Sequence, residues 1–85
     1  MNLVFSPQGF EDYRYWQQTD RAILRRINRL IDDILRDDPF IGIGKPEQLR
    51  YFDGWSRRID EEHRLVYRIV NGDLHILQAR YHYGD

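Results

Sequence analysis

The chain has no cysteine, so a disulfide framework and a thiolate metal site are both excluded. It has no apolar stretch approaching the roughly 20 residues that a membrane-spanning helix needs. Its first residues, Met1-Asn2-Leu3-Val4-Phe5-Ser6-Pro7, lack the basic start and the longer apolar run of a secretory signal. A cytoplasmic location with no membrane partner is the expectation. Positive charge is not in excess either: 13 Lys and Arg face 14 Asp and Glu, giving a net charge of −1. RNA-binding domains are usually basic, because their cations displace counterions from phosphates. Bulk charge gives nucleic-acid binding no support, so such a reading must rest on where the arginines sit. Repeats, linkers and low-complexity tracts are absent too, and residues 1–85 are expected to form one domain.

What is present suits a small folded core. A chain of this size buries only about 60–65% of the surface its unfolded form exposes. Aromatics make up 14% of the residues, so Phe5, Phe10, Trp16, Phe40, Phe52 and Trp55 can supply much of the buried area. Asn2–Phe5 reads as a strand. Ser6 as N-cap and Pro7 as first helical residue open a helix to about Thr19. Gly9 weakens its first turn. Asp20 caps a second helix, Arg21 to about Arg36, whose apolar stripe is Ile23, Ile27, Leu30, Ile31 and Ile34. Arg21, Arg25 and Arg29 share another face. The two helices are expected to form an antiparallel hairpin.

Asp37-Asp38-Pro39 stops the second helix, and Gly42 and Gly44 mark an irregular loop. The pattern then turns strand-like, with strands expected at Glu47–Tyr51, Trp55–Asp60, His63–Val70 and Asp73–Arg80. Asp53-Gly54 and Asn71-Gly72 both suit type I′ hairpin turns, which need positive φ at two central positions. In the third of these strands Leu65, Tyr67 and Ile69 share one face, and Arg64, Val66 and Arg68 the other. The fold class is α+β: a short N-terminal strand, a helical hairpin, then an antiparallel β-meander.

Four residues stand out chemically. Glu47 suits a general base, and His82 a general acid near neutral pH. Arg64 has the planar fork of donors that fits a phosphate, and Tyr83 adjoins His82. Each also has a plainer reading. Glu47 follows Pro46 at a strand start, where solvated carboxylates are common. Arg64 fits the polar face of a half-buried sheet, and His82 can pack as part of an aromatic edge. His63, His75 and His82 lack metal-ligand spacing, so no metal and no cofactor are expected. The arginine stripe suits a solvated helix face. Gly42-Ile43-Gly44-Lys45 lacks the longer glycine spacing and the Ser/Thr of a P-loop.

The stretches Gly42-Ile43-Gly44-Lys45-Pro46-Glu47, Trp55-Ser56-Arg57-Arg58-Ile59, Glu61-Glu62-His63-Arg64-Leu65-Val66-Tyr67 and Ala79-Arg80-Tyr81-His82-Tyr83 resemble the YoeB toxins of bacterial toxin–antitoxin systems. So does the region around Asp12-Tyr13 and Tyr15-Trp16-Gln17. The resemblance covers nearly the whole chain. It implies the RelE/ParE-like fold, a small antiparallel sheet with a helical hairpin. It also implies a ribosome-dependent mRNA endoribonuclease that inhibits translation and works without metal. Glu47 would be the general base, Arg64 the phosphate-stabilising arginine, His82 the general acid and Tyr83 the orienting aromatic. Arg50, Arg58 and Arg80 would hold RNA or ribosome. Implied partners are a cognate YefM-like antitoxin, the ribosome with its mRNA, operator DNA only as the toxin–antitoxin complex, and a second copy in a homodimer. Two other readings share the fold: a ParE-like poison of DNA gyrase, and a catalytically silent antitoxin-binding co-repressor. Against the familiar pattern, the Leu49–Trp55 connection is shorter, Gly84-Asp85 follows Tyr83, and the chain is not basic.

Overall fold

The computed structural model describes residues 1–81. The elements are β1 (Leu3–Phe5), α1 (Pro7–Thr19), α2 (Arg21–Arg36), β2 (Glu47–Gln48), β3 (Trp55–Arg58), β4 (Arg64–Val70) and β5 (Asp73–Gln78). They make one five-stranded sheet in the order β1-β5-β4-β3-β2. Strands β2 to β5 form the expected antiparallel meander. β1 instead joins β5 in parallel, Leu3 opposite Leu74 and Phe5 opposite Ile76, so the sheet is mixed rather than antiparallel throughout.

The helix ends follow their capping residues. Ser6 Oγ accepts the Gly9 N–H at 3.0 Å while donating to the Leu77 carbonyl at 3.1 Å, so one hydroxyl starts α1 and ties it to the sheet. Asp20 serves both helices. Its N–H closes α1 on the Trp16 carbonyl, and its carboxylate accepts the N–H groups of Ala22 and Ile23. A single residue thus makes the joint, and Tyr13 on α1 reaches Asn28 on α2 at 2.7 Å. Gly9 belongs where it stands: a Cβ there would run into the Ile76 carbonyl of β5.

The helices cover one face of the sheet. Ile27, Leu30, Ile31 and Ile34 of α2 pack with Trp16 against Leu65, Tyr67, Leu74 and Ile76. Burying this stripe is what holds α2, since its propensity alone would leave a helix of this length marginal in water. Trp16 also donates its indole N–H to the Ala79 carbonyl at 2.8 Å, and Asp12 accepts the Ala79 N–H at 2.9 Å. Helix α1 therefore clamps the chain just beyond β5. Opposite Val66 and Tyr67, β5 presents Gln78 and Ile76, so Leu77 is an extra residue and forms a bulge.

Two further expectations need correction. The strands are shorter, most of all Glu47–Tyr51, which pairs only over Glu47–Gln48. Asn71-Gly72 is the I′ turn expected, with φ of 51° and 81°, but neither Asp53 nor Gly54 has positive φ. That connection is a wider loop closed by the Leu49 N–H on the Gly54 carbonyl at 2.9 Å. Gly54 is needed for space: a Cβ would sit 2.8 Å from the Phe52 ring and 3.1 Å from the Tyr67 carbonyl. Val66 is buried although it faces away from the helices.

Candidate active site

Register brings the first part of the site together. Glu47 pairs with Ser56, Ser56 with Val66 and Arg58 with Arg64. Directly opposed residues project to the same side, so Glu47, Ser56, Arg58 and Arg64 share the face turned away from the helices. Ser56 seats the arginine: its Oγ accepts Arg64 Nε at 2.8 Å and its carbonyl accepts Nη2 at 3.3 Å. The Lys45 carbonyl lies 3.4 Å from the same nitrogen. Glu47 Oε2 stands 3.3 Å from Arg64 Nη2, with the Arg64 side chain 11% and the Glu47 side chain 71% exposed. One partner is fixed and the other is free to move. Nη1 of Arg64 has no acceptor among the described residues.

A second arginine, which the sequence pattern did not single out, holds the loop that delivers Glu47. Arg57 is wholly buried on the helix side of β3. Its Nε donates to the Tyr67 hydroxyl at 3.2 Å. Nη1 donates to Asp33 Oδ2 at 2.6 Å and to the Ile43 carbonyl at 3.1 Å. Nη2 donates to the carbonyls of Pro39 and Ile41 at 3.2 and 3.1 Å. A guanidinium has five N–H donors, and here each has an acceptor. Asp33 also takes the Ile43 N–H at 3.2 Å, and the Tyr67 hydroxyl donates to the Pro39 carbonyl at 2.6 Å. The hydrogen bond from Arg57 holds the Asp33 carboxyl below the usual range, while burial pushes the Tyr67 phenol up. Gly42, at φ 141°, fits against this centre because a Cβ would strike the Asp33 carboxylate. The signal was in the alternation of β3: if Trp55 and Ile59 point inward, so does Arg57.

Past β5 the chain returns to Arg64. Its N–H donates to the Tyr81 carbonyl at 3.1 Å, and the Tyr81 N–H donates to Nδ1 of His63 at 2.8 Å. His63 is buried edge-on to Trp16, with ring centroids 4.8 Å apart. Tyr81, at φ 62°, is thereby fixed beside the Arg64 backbone. The expected general acid His82 and the orienting Tyr83 lie outside the described residues.

Of the looser candidates, Arg58 shares the face of Arg64. Arg50 is exposed on the loop after β2, its guanidinium 6.0 Å from the Tyr51 ring. Arg80 turns toward α1 and stacks 3.6 Å from the Tyr15 ring centroid. Among the described residues no group of three or more His, Cys, Asp or Glu side chains could hold a metal ion. Among them too, no helix is long and apolar enough to cross a membrane.

This architecture is that of small bacterial toxins. It superposes on a YoeB/ParE toxin from Agrobacterium tumefaciens with a TM-score of 0.92 at 44% identity, covering 98% of this chain and 100% of that one. On the YoeB–YefM complex from Staphylococcus aureus the TM-score is 0.88 at 45% identity, with 98% of each chain covered. The more distant YafQ from E. coli shares the fold, with a TM-score of 0.70 at 17% identity over 94% of this chain and 91% of that one. The sequence profile of YoeB-like toxins of bacterial type II toxin–antitoxin systems matches residues 5–83. Toxin YoeB of Streptomyces coelicolor is 54% identical, over 98% of this chain and all of its own. Toxin RelK of Mycobacterium tuberculosis is 56% identical, over 96% of this chain and 98% of its own. The chain belongs to the YoeB-like toxin family of type II toxin–antitoxin systems.

Proposed function

We propose that this toxin is a metal-independent, ribosome-dependent mRNA endoribonuclease in which Glu47, Arg64, His82 and Tyr83 form the reacting centre. The observation that carries the reading is the carboxylate of Glu47 set 3.3 Å from a guanidinium that Ser56 already holds in place. A phosphodiester entering at Arg64 takes up its outward donors and displaces Glu47. Glu47 is the exposed partner of that pair, 71% against 11% for Arg64, so water receives it as it swings away. Glu47 then removes the proton of the ribose 2′-hydroxyl, whose oxygen attacks the adjacent phosphorus. Arg64 stabilises the charge growing on the non-bridging oxygens. His82 donates a proton to the departing 5′ oxygen, and Tyr83 orients the substrate. The products are a 2′,3′-cyclic phosphate and a 5′-hydroxyl. DNA lacks the attacking group. Arg58 and Arg50 hold the RNA, and Arg80 does so from the α1 side.

The solved Staphylococcus aureus relatives are a YoeB–YefM complex, a heterotetramer of the two, and a YoeB dimer. By analogy this toxin is held silent by a YefM-like antitoxin and can dimerise; a cytoplasmic location and operator DNA binding only as the toxin–antitoxin complex belong to the same proposal. An antitoxin segment that orders only on binding suits a reversible inhibitor. A gyrase poison or a silent co-repressor has no use for a base poised beside a phosphate-binding arginine.

Mapping mRNA ends in a translating extract, with and without the toxin, tests the reading. New ends confined to ribosome-bound message are expected, with cutting by EDTA-treated protein unchanged at fixed magnesium. Glu47→Gln and His82→Gln should each slow single-turnover cutting by roughly 10²–10⁴-fold. Wild-type rates in both variants, or activity restored only by zinc or manganese, would overturn it.

A further inference from the structure

A groove of about 710 Å³ runs between α1 and the segment after β5, lined in part by Phe10, Arg14, Tyr15, Gln78, Arg80 and Tyr81. We infer that it is a subsite for a nucleotide of single-stranded RNA flanking the scissile phosphate, an inference that rests on the endoribonuclease reading.

Among the described residues, the fork of Arg80 is unused. The Arg80 guanidinium lies 3.6 Å from the Tyr15 ring centroid and 4.8 Å from that of Tyr81. Stacking fixes its plane, yet none of its nitrogens has an acceptor among the described residues, and Nε is buried without one. A half-buried cation lacking hydrogen-bond partners is costly, and an anion at its open edge relieves that cost. A planar guanidinium held in this way suits a phosphate, which it can bind with two parallel bonds.

The surroundings point the same way. Arg14 lies on the same wall, 5.8 Å from the Phe10 ring centroid. Phe10 and Tyr81 are 50% and 53% exposed, leaving aromatic faces for a base to stack on. Asp12 is already taken up by Gln8 and the Ala79 N–H. Among the described residues, Glu11 is then the single unengaged acid on the wall, against two arginines. No Leu, Ile, Val or Met lines the groove, so it lacks the aliphatic pockets that would anchor an amphipathic peptide helix.

Position supplies the link to the reaction. The Tyr81 carbonyl accepts the Arg64 N–H, and Gln78 pairs with Val66, the neighbour of Ser56 in register. The Gln78–Tyr81 wall of the groove therefore borders β4, the strand that carries Arg64. A strand whose phosphate sits at Arg64 can place the next nucleotide against Tyr81 and Arg80.

The test uses a fluorescein-labelled RNA pentanucleotide, 2′-O-methylated throughout so that it cannot be cut, followed by anisotropy. Saturable binding is expected, weakened roughly tenfold in Arg14→Gln/Arg80→Gln and with a shallower salt dependence. Arg14→Gln alone changes an exposed side chain, and should show part of the loss at an unchanged melting temperature. Equal binding by wild type and double variant would overturn the subsite. So would binding of a labelled oligoglutamate peptide, lost in the double variant, with no binding of the RNA. Cleavage of ribosome-bound mRNA by the same preparations separates the two readings. Cutting by the wild type with unchanged binding by the double variant rejects the subsite alone. RNA binding lost in the double variant with no cutting by the wild type rejects the nuclease reading, and with it the subsite's role beside a scissile bond.

Discussion

Arg57 and Arg64 stand on adjacent strands and point to opposite faces of one sheet, and their surroundings could hardly differ more. Arg57 has no exposed surface and gives all five of its N–H groups to Asp33, Tyr67 and three carbonyls. Arg64 is seated by Ser56 and keeps an edge open. A saturated guanidinium can only hold what it holds; one with free donors can still bind. The two are also connected. Arg57 grips the carbonyls of Pro39, Ile41 and Ile43, the Gly44 carbonyl accepts the Arg58 N–H at 2.6 Å, and the Lys45 carbonyl lies against Arg64. The loop that carries Glu47 is thus strung between a saturated arginine and an open one.

The largest effect should come from the open arginine. Arg64→Ala is expected to lower single-turnover cleavage at saturating ribosomes by about 10²–10³-fold, the drop typical of removing one transition-state donor. Its melting temperature should move by no more than a few degrees. Arg64→Lys keeps the charge and loses the fork, so its defect should approach that of alanine. Normal cutting by Arg64→Ala would make Arg64 structural and dissolve the contrast with Arg57.

Arg57 should behave in the opposite way. Arg57→Met leaves the Ile41 and Ile43 carbonyls without a donor and takes one from Asp33, Tyr67 and the Pro39 carbonyl, and is expected to cost about 3–5 kcal/mol. For a domain of this size that lowers the melting temperature by more than roughly 10 °C. Thermal unfolding followed by circular dichroism measures it. A variant melting within about 3 °C of wild type would show that the centre does not hold the loop.

A smaller effect is expected from pH. The folded-state carboxyl of Asp33 titrates below its ordinary value because Arg57 bonds to the charged form. Its contribution is therefore fully present above the unfolded value of about 3.9 and is lost as pH falls through the lower folded value. Asp33→Asn should destabilise the protein near neutral pH by less than Arg57→Met does, since Arg57 keeps its carbonyl acceptors. The gap between Asp33→Asn and wild type should narrow as pH falls below about 4. Denaturant titrations across that range measure it, and a gap independent of pH would remove Asp33 from the centre's electrostatics.

What was legible in the sequence was local. Ser6-Pro7, Asp20 and Asn71-Gly72 act through their own side chains or backbone angles, and each lies at the boundary it marks. The stripe of α2 was legible for the same reason, as was the strand alternation that turns Arg64 outward. What escaped depends on partners far along the chain. The parallel seat of β1 on β5 and the extra residue Leu77 are set by pairing between distant segments. Asp53-Gly54 has the composition of a tight turn, but the Phe52 ring and the Tyr67 carbonyl occupy the space around it. Arg57 was not singled out: the alternation of β3 could turn it inward, but its acceptors are mainly backbone carbonyls, which carry no residue-specific signal. The placement of Glu47 beside Arg64 could be suspected from the residue types, while their 3.3 Å separation needed the register of β2 on β3.

The smallest effect concerns a third set of arginines, those on the outer face of α2. Arg21, Arg25 and Arg29 are all exposed there, and Arg29 lies by a shallow depression that Asp32 and Asp33 also line. Asp33 is already paired with Arg36 and Arg57, so Asp32 is the carboxylate that offsets part of the stripe's field, and the chain as a whole carries a net charge of −1. Its attraction to ribosomal RNA should therefore be modest and strongly screened, since the Debye length is about 8 Å at physiological salt. Replacing all three with alanine is expected to weaken ribosome binding a few-fold at low salt and very little at high salt. The log–log salt slope should flatten by up to roughly one for each phosphate that the stripe no longer neutralises. Arg64→Ala, measured alongside, should move the rate at saturation far more than it moves this slope. Equal affinity of the triple variant and wild type across the salt range would leave the stripe a solvated helix face, and ribosome attraction would then have to come from the arginines around the sheet.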